Sequence, residues 1–168
     1  MAICGLRTIN QKVSNIMKTK TVVSDINHED LVELLSTASY GSSWLKLNYD
    51  SIEYAALKNE DPDKQCLEDK CALLLLNGKT IDICDYYAED SDDSYDSKLP
   101  HSYDADCGSM DYTVSLKDIE KGLSKMLDAG GWPAKYVMNL INADDGDFDQ
   151  PQAESIIQHI LWGEEIYG

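Results

Sequence analysis

The sequence predicts an α+β domain: a small antiparallel sheet packed against about five helices. Two observations carry this. Met110, Tyr112, Val114 and Leu116 alternate with polar Asp111, Thr113 and Ser115, the period of a strand with one buried face. On either side of it, several stretches repeat apolar side chains three and four residues apart, the period of a helix with one buried stripe.

The first helix follows Asn27, which caps it with Asp30 as reciprocal partner three residues on. Leu31, Leu34, Leu35 and Ala38 form its apolar stripe, and Tyr40-Gly-Ser-Ser-Trp44 ends it, with Gly41 suited to the left-handed stop. A short helix is expected around Ser51–Leu57. Asp61-Pro62 opens another, because proline at the first helical position surrenders no needed donor. It runs through Cys66, Leu67, Cys71, Leu74 and Leu75 to Asn77-Gly78, and the run Leu73–Leu76 predicts deep burial.

Ile81 and Ile83, alternating with Asp82 and Cys84, predict a strand extended by Tyr86-Tyr87. It is expected to pair antiparallel with the 110–116 strand across an acidic loop from about Glu89 to Ser109. Ser115 and Asp118 form a capping box for a helix that buries Ile119, Leu123, Met126 and Leu127 and stops at Gly130-Gly131. Trp132-Pro133 starts the next, with Tyr136, Val137, Leu140 and Ile141 inward. Asp149 caps the last, which buries Ile156, Ile157, Ile160 and Leu161 and ends at Gly163.

Charge is the unusual property. The 168 residues carry a formal net charge of −17, against a magnitude of roughly 2–8 for an ordinary small domain. Such self-repulsion opposes compaction, so the field is either tolerated or used. A basic partner is attracted and oriented by it, whereas nucleic acid and anionic membrane are repelled. No apolar run reaches the length of a transmembrane helix and the start lacks a secretory core, so a cytoplasmic location is expected.

The basic residues are unevenly placed. Arg7, Lys12, Lys18 and Lys20 fall in the first twenty residues, which contain no acid. Residues 1–20 read as a flexible basic leader and 21–168 as a single acidic domain, with Met17 as a second plausible start.

Between Asp82 and Asp111 stand ten acids and one base, Lys98, interleaved with tyrosines. Tyrosine offers rigid amphipathic contact area and carboxylates oppose arginine and lysine, so the mixture suits a protein interface. The candidate partner-binding set is Asp85, Glu89, Asp90, Asp92, Asp93, Tyr95, Asp96, Tyr103, Asp104 and Asp106, backed by Asp144, Asp145 and Asp147. The loop is expected to order on binding.

Other chemistry is thinly represented. Asp144–Asp149 fails as a calcium loop: counted from Asp145, Gln150 stands at the glycine position and Ile156 where a bidentate acid belongs. Five cysteines have no metal-site spacing. Cys71 and Cys84 read as small core residues. A Cys107/His101 pair is conceivable, but acidic neighbours raise a thiol's pKa and weaken it as a nucleophile. No catalytic residue, metal or cofactor is expected. Trp44, Trp132 and Trp162 read as core anchors.

The chain resembles a group of small acidic proteins encoded by phages and conjugative elements of gut and related anaerobic bacteria. The likeness lies in Asp30-Leu31-Val32 with Thr37-Ala38, Leu75-Leu-Asn-Gly78, and Leu116 through Gly122-Leu123. It continues in a tail of Asp147, Asp149, Ala153, Ile156-Ile157-Gln158, Leu161, Gly163-Glu164 and Ile166-Tyr167-Gly168. The resemblance implies a counter-defence setting and supplies no catalytic or binding residue.

Together these readings predict a non-enzymatic inhibitor that binds the Arg/Lys-lined surface of a nucleic-acid-handling defence enzyme, a CRISPR effector or restriction enzyme, by acidic DNA mimicry. One alternative is an interaction module with incidental acidity that binds through Trp44 or Trp162. Another is a sponge for a small defence signal, with Lys46 and Lys79 lining a pocket.

Overall fold

The computed structural model describes residues 23–24, 26–57, 66–90, 95–142 and 147–167. Among these residues, six helices and a four-stranded antiparallel sheet make up an α+β fold. The expected leader falls outside these residues, as do the Asp61-Pro62 helix entry, Asp92, Asp93, and Asp144 and Asp145 of the rejected calcium loop.

Helix α1 (His28–Ser39) has the expected reciprocal cap. The Asp30 N–H donates to Asn27 Oδ1 at 3.0 Å and the Asn27 N–H to Asp30 Oδ2 at 3.2 Å. After Gly41, whose φ is 72°, the chain enters strand β1 (Leu45–Asn48). This strand was not expected. Only four residues long, it offers two inward positions, Leu45 and Leu47, too few to display a period. Helix α2 (Ser51–Ala56) is capped by Asp50, whose carboxylate accepts from the Ile52 and Glu53 N–H groups. Helix α3 (Leu67–Leu76) buries Cys71, Ala72, Leu74 and Leu75, but Leu76 is exposed, so the leucine run is not buried throughout.

Strand β2 (Thr80–Asp85) stops before the two tyrosines expected to extend it. The Tyr87 N–H donates to Asp85 Oδ1 at 2.9 Å, a side-chain turn that bends the chain out of the ladder. The expected β2 pairing with β4 (Ser109–Ser115) is present, Ile83 opposite Tyr112 and Ile81 opposite Val114. The connection between them is not all loop. It contains edge strand β3 (His101–Asp104), which pairs with β4 and gives the order β1-β2-β4-β3.

Helices α4 (Leu116–Ala129), α5 (Gly131–Ile141) and α6 (Gln150–Leu161) complete the fold. Their caps are those read from the sequence: Asp118 accepts from the Ser115 N–H and Asp149 from the Gln152 N–H. Gly122 on α4 marks the tightest helix approach, since a Cβ there would stand 2.6 Å from Ile160 Cγ1 on α6. Among the described residues no helix is long and apolar enough to cross a membrane.

Cross-strand partners share a face, so the register sorts the sheet cleanly. Leu45, Leu47, Ile81, Ile83, Met110, Tyr112 and Val114 face inward and join the buried side chains of α1, α3, α4, α5 and α6 in one core. Lys46, Asn48, Asp82, Cys84, Asp111, Thr113, Ser102 and Asp104 face outward. Apart from buried Cys84, these outward residues are exposed or half-exposed.

Candidate functional site

The outer face of the sheet carries three carboxylates on three neighbouring strands. Asp82 on β2, Asp111 on β4 and Asp104 on β3 each lie one strand across and two residues along from the last. Such diagonal neighbours stand roughly 7–8 Å apart. Each carboxylate also accepts a nearby bond: Asp82 from Thr113 Oγ1 at 2.9 Å, Asp111 from Ser109 Oγ at 2.8 Å, and Asp104 from the Asp106 N–H at 2.9 Å. Hydrogen bonds from the Cys107 thiol and from the backbone N–H groups of Cys107 and Asp106 hold the Asp104 carboxyl below its ordinary range, so it stays charged. Asp106 is exposed in the β3–β4 turn and extends the row.

The acidic connection is fastened to the core by its own side chains. Tyr103 Oη donates to the Glu89 carbonyl at 3.0 Å, which ties the end of β2 to the edge strand. Ser97 Oγ donates to the Leu161 carbonyl at 2.6 Å, at the end of α6. The Tyr95 ring packs edge-on against Trp162 and Tyr167, 5.4 and 5.9 Å between centroids. Tyr95 and Asp96 both have left-handed φ, 47° and 56°. A conformation of this kind costs about 1–3 kcal/mol per non-glycine residue and persists where the surroundings impose it. The described part of the connection is therefore held in place, contrary to the expectation that it orders on binding.

The predicted set divides. Glu89, Asp90, Asp96, Asp104 and Asp106 lie on the surface along the β2 end, the turn and the β3 edge. Asp85 does not: it is 0% exposed and accepts from Tyr167 Oη at 2.7 Å. It faces the core because its cross-strand partners are Leu45 and Met110. Tyr95 and Tyr103 turn their bonding inward and serve the loop's anchorage before any contact. Asp147 stands apart, its carbonyl accepting from Asn139 Nδ2 and Gln152 Nε2 at the α5–α6 connection, with no bond to the sheet among the described residues. Asp82 and Asp111 were missed as site residues, although the alternation that placed Ile83 and Tyr112 inward had already placed them outward.

The alternative sites fare unevenly. Trp44 is buried, and Trp162 is half-buried in an aromatic cluster with Trp44, Tyr112 and Tyr167. Trp132, expected in the core, is 67% exposed, with Lys135 Nζ 5.0 Å from its ring centroid. Its place at the first turn of α5 points it away from the stripe that buries Val137 and Leu140. Lys46 lies over the Tyr86 ring and Lys79 pairs with Glu53 at 3.0 Å, and neither lines a described cavity. Hydrogen bonding to Asp104 raises the Cys107 thiol's pKa, which disfavours the nucleophilic form. The His101 ring is bound through Nδ1 to the Leu99 carbonyl. No group of three or more His, Cys, Asp or Glu among the described residues is placed to hold a metal ion. Comparison with protein-family models, with curated proteins and with solved structures finds no match.

Proposed function

We propose that the protein is a non-enzymatic inhibitor that sets its outer sheet face and β3 edge against an Arg/Lys-lined surface of a nucleic-acid-handling host defence enzyme, a CRISPR effector or restriction enzyme. The observation that carries this reading is the Asp82–Asp111–Asp104 diagonal, three carboxylates on adjacent strands, each with a positioned donor. Duplex DNA presents one phosphate per about 3.4 Å of axis on each strand. Successive phosphates on a strand are also rotated about that axis, so they stand further apart than the rise; a diagonal at roughly 7–8 Å is comparable to the spacing of neighbouring phosphates, and Glu89, Asp90, Asp96 and Asp106 supply charge beside it. Carboxylates held by a folded sheet lose little freedom on binding, which favours mimicry by pre-organisation. The resemblance to proteins of phages and conjugative elements supports the counter-defence setting and a place of action in the host bacterial cytoplasm.

Carboxylates also occur on α1, α2, α3, α4 and α6, so the field is not confined to the sheet. The sheet face differs in setting its three carboxylates along one diagonal across three strands. The test is titration of the protein against DNA cleavage by a panel of CRISPR effectors and restriction enzymes. The wild type should inhibit at least one of them competitively with duplex DNA. Asp82→Asn/Asp104→Asn/Asp111→Asn should restore cleavage, whereas Glu29→Gln/Glu33→Gln on α1 should inhibit as the wild type does. Equal inhibition by both variants would defeat the assignment.

A further inference from the structure

The lysines of this acidic chain are not distributed like its carboxylates. Four of the eight in the described residues are engaged: Lys46 over Tyr86, Lys70 over Tyr49 and Tyr54, Lys79 with Glu53, and Lys135 over Trp132. Lys98, Lys121 and Lys125 make no hydrogen bond, ion pair or ring contact among the described residues. Yet these three converge on one small cavity of about 70 Å³, between α4, the Lys98-Leu99 segment and the end of α6. Three lysines with no ion-pair partner among the described residues thus line one cavity in a chain of net charge −17.

We propose that this cleft binds a phosphoryl group, as inorganic phosphate or as the head of a small phosphomonoester. Lys121 and Lys125 lie four apart on one face of α4, and Lys98 closes the opposite wall. The floor is backbone and apolar, formed by Gly122, Ile160 and Leu161. Asp118 is the one carboxylate in the lining, and its Oδ2 is already occupied by the Ser115 N–H and Oγ. The lysines are not needed to neutralise the end of α6. Its carbonyls at Gln158, His159 and Leu161 already accept from the Trp162 N–H, the Gly163 N–H and Ser97 Oγ. A cavity of this size holds a head group of two or three water volumes, not a whole nucleotide. The remainder of a larger ligand would lie outside, beside Trp162. This assignment does not rest on the acidic sheet face, whose carboxylates it does not use.

The experiment is calorimetric titration of the full chain with inorganic phosphate and with adenosine monophosphate, against chloride at matched ionic strength. Saturable phosphate binding is expected, weakened by about tenfold or more in Lys121→Gln/Lys125→Gln. The charge-matched control Lys117→Gln/Lys135→Gln, which alters no lining residue, should bind as the wild type does. Tighter binding of the monophosphate identifies a phosphomonoester ligand, and equal binding identifies free phosphate; either supports the site. Should the double variant lose its near-ultraviolet dichroism, Lys98→Gln carries the same comparison. A titration matched by chloride, or undiminished in the lining variants, overturns the proposal.

Discussion

Asp85 and Tyr167 join chain positions 82 residues apart. The carboxyl is fully buried and accepts from Tyr167 Oη and the Tyr87 N–H, so the bond closes the C-terminus over the end of the sheet. Burial and hydrogen bonds with Tyr95 and Asp85 push the Tyr167 phenol far above its usual pKa, which keeps it a donor. Gln158, also buried, accepts from the Ile166 and Tyr167 N–H groups at 2.6 Å and donates to the Tyr167 carbonyl at 3.0 Å. Tyr167→Phe should therefore cost about 1–3 kcal/mol, because it removes one donor from a buried carboxyl; chemical denaturation measures it, and an unchanged midpoint would contradict the role. Two buried thiols add to the loss of stability at alkaline pH. Burial pushes the Cys71 thiol up to about 12 from an ordinary value near 9, and burial with Asp111 raises Cys84 further. Folded, both stay protonated while the unfolded thiols ionise, so the unfolded chain binds fewer protons. Their contribution is present below about pH 9 and declines progressively toward pH 12. Cys71→Ala/Cys84→Ala should flatten that decline in a series of thermal melts.

Among the elements, α4 and α6 approach most closely at Gly122. A Cβ there would lie 3.1 Å from Ile160 Cα as well as 2.6 Å from its Cγ1, and a backbone atom cannot swing aside. Gly122→Ala gains about 1 kcal/mol of helix propensity but overpacks a closed contact, a loss of about 1–3 kcal/mol. A net fall in Tm is expected, and a rise would show that the helices part freely. The elements legible in the sequence were those long enough to repeat. Strand β4 shows three full alternations, and α4 carries its apolar positions through 14 residues. Strands β1 and β3 have four residues each, and β3 is His-Ser-Tyr-Asp, with no apolar aliphatic side chain to betray a buried face. Asp85 was misplaced although the alternation of Ile81 and Ile83 puts it on their inward face, opposite Leu45 and Met110; the donor that accompanies its burial, Tyr167, lies far along the chain. Trp132 was misplaced because aromatic size suggested burial, whereas its turn of α5 faces outward. In the candidate site the acid-rich segment was visible, but Asp82 and Asp111 became distinct only once register aligned them with Asp104.

At the scale of the molecule, two arrangements of charged side chains stand on different elements. The sheet's outer face and the β3 edge present fixed carboxylates, while unengaged lysines gather on α4 and at Lys98. The segment between β2 and β4 takes part in both arrangements: Asp96 and Asp104 lie at the acidic edge, while Lys98 lines the cleft and Tyr95 and Ser97 hold the segment to α6. The most direct measurement is the salt dependence of binding to an enzyme that the protein inhibits, wild type beside Asp82→Asn/Asp104→Asn/Asp111→Asn. If the carboxylates oppose an Arg/Lys channel, log Kd should rise with log salt concentration, and the slope should be shallower in the triple variant. Binding of the same strength across that range, with the triple variant indistinguishable from wild type, would contradict it.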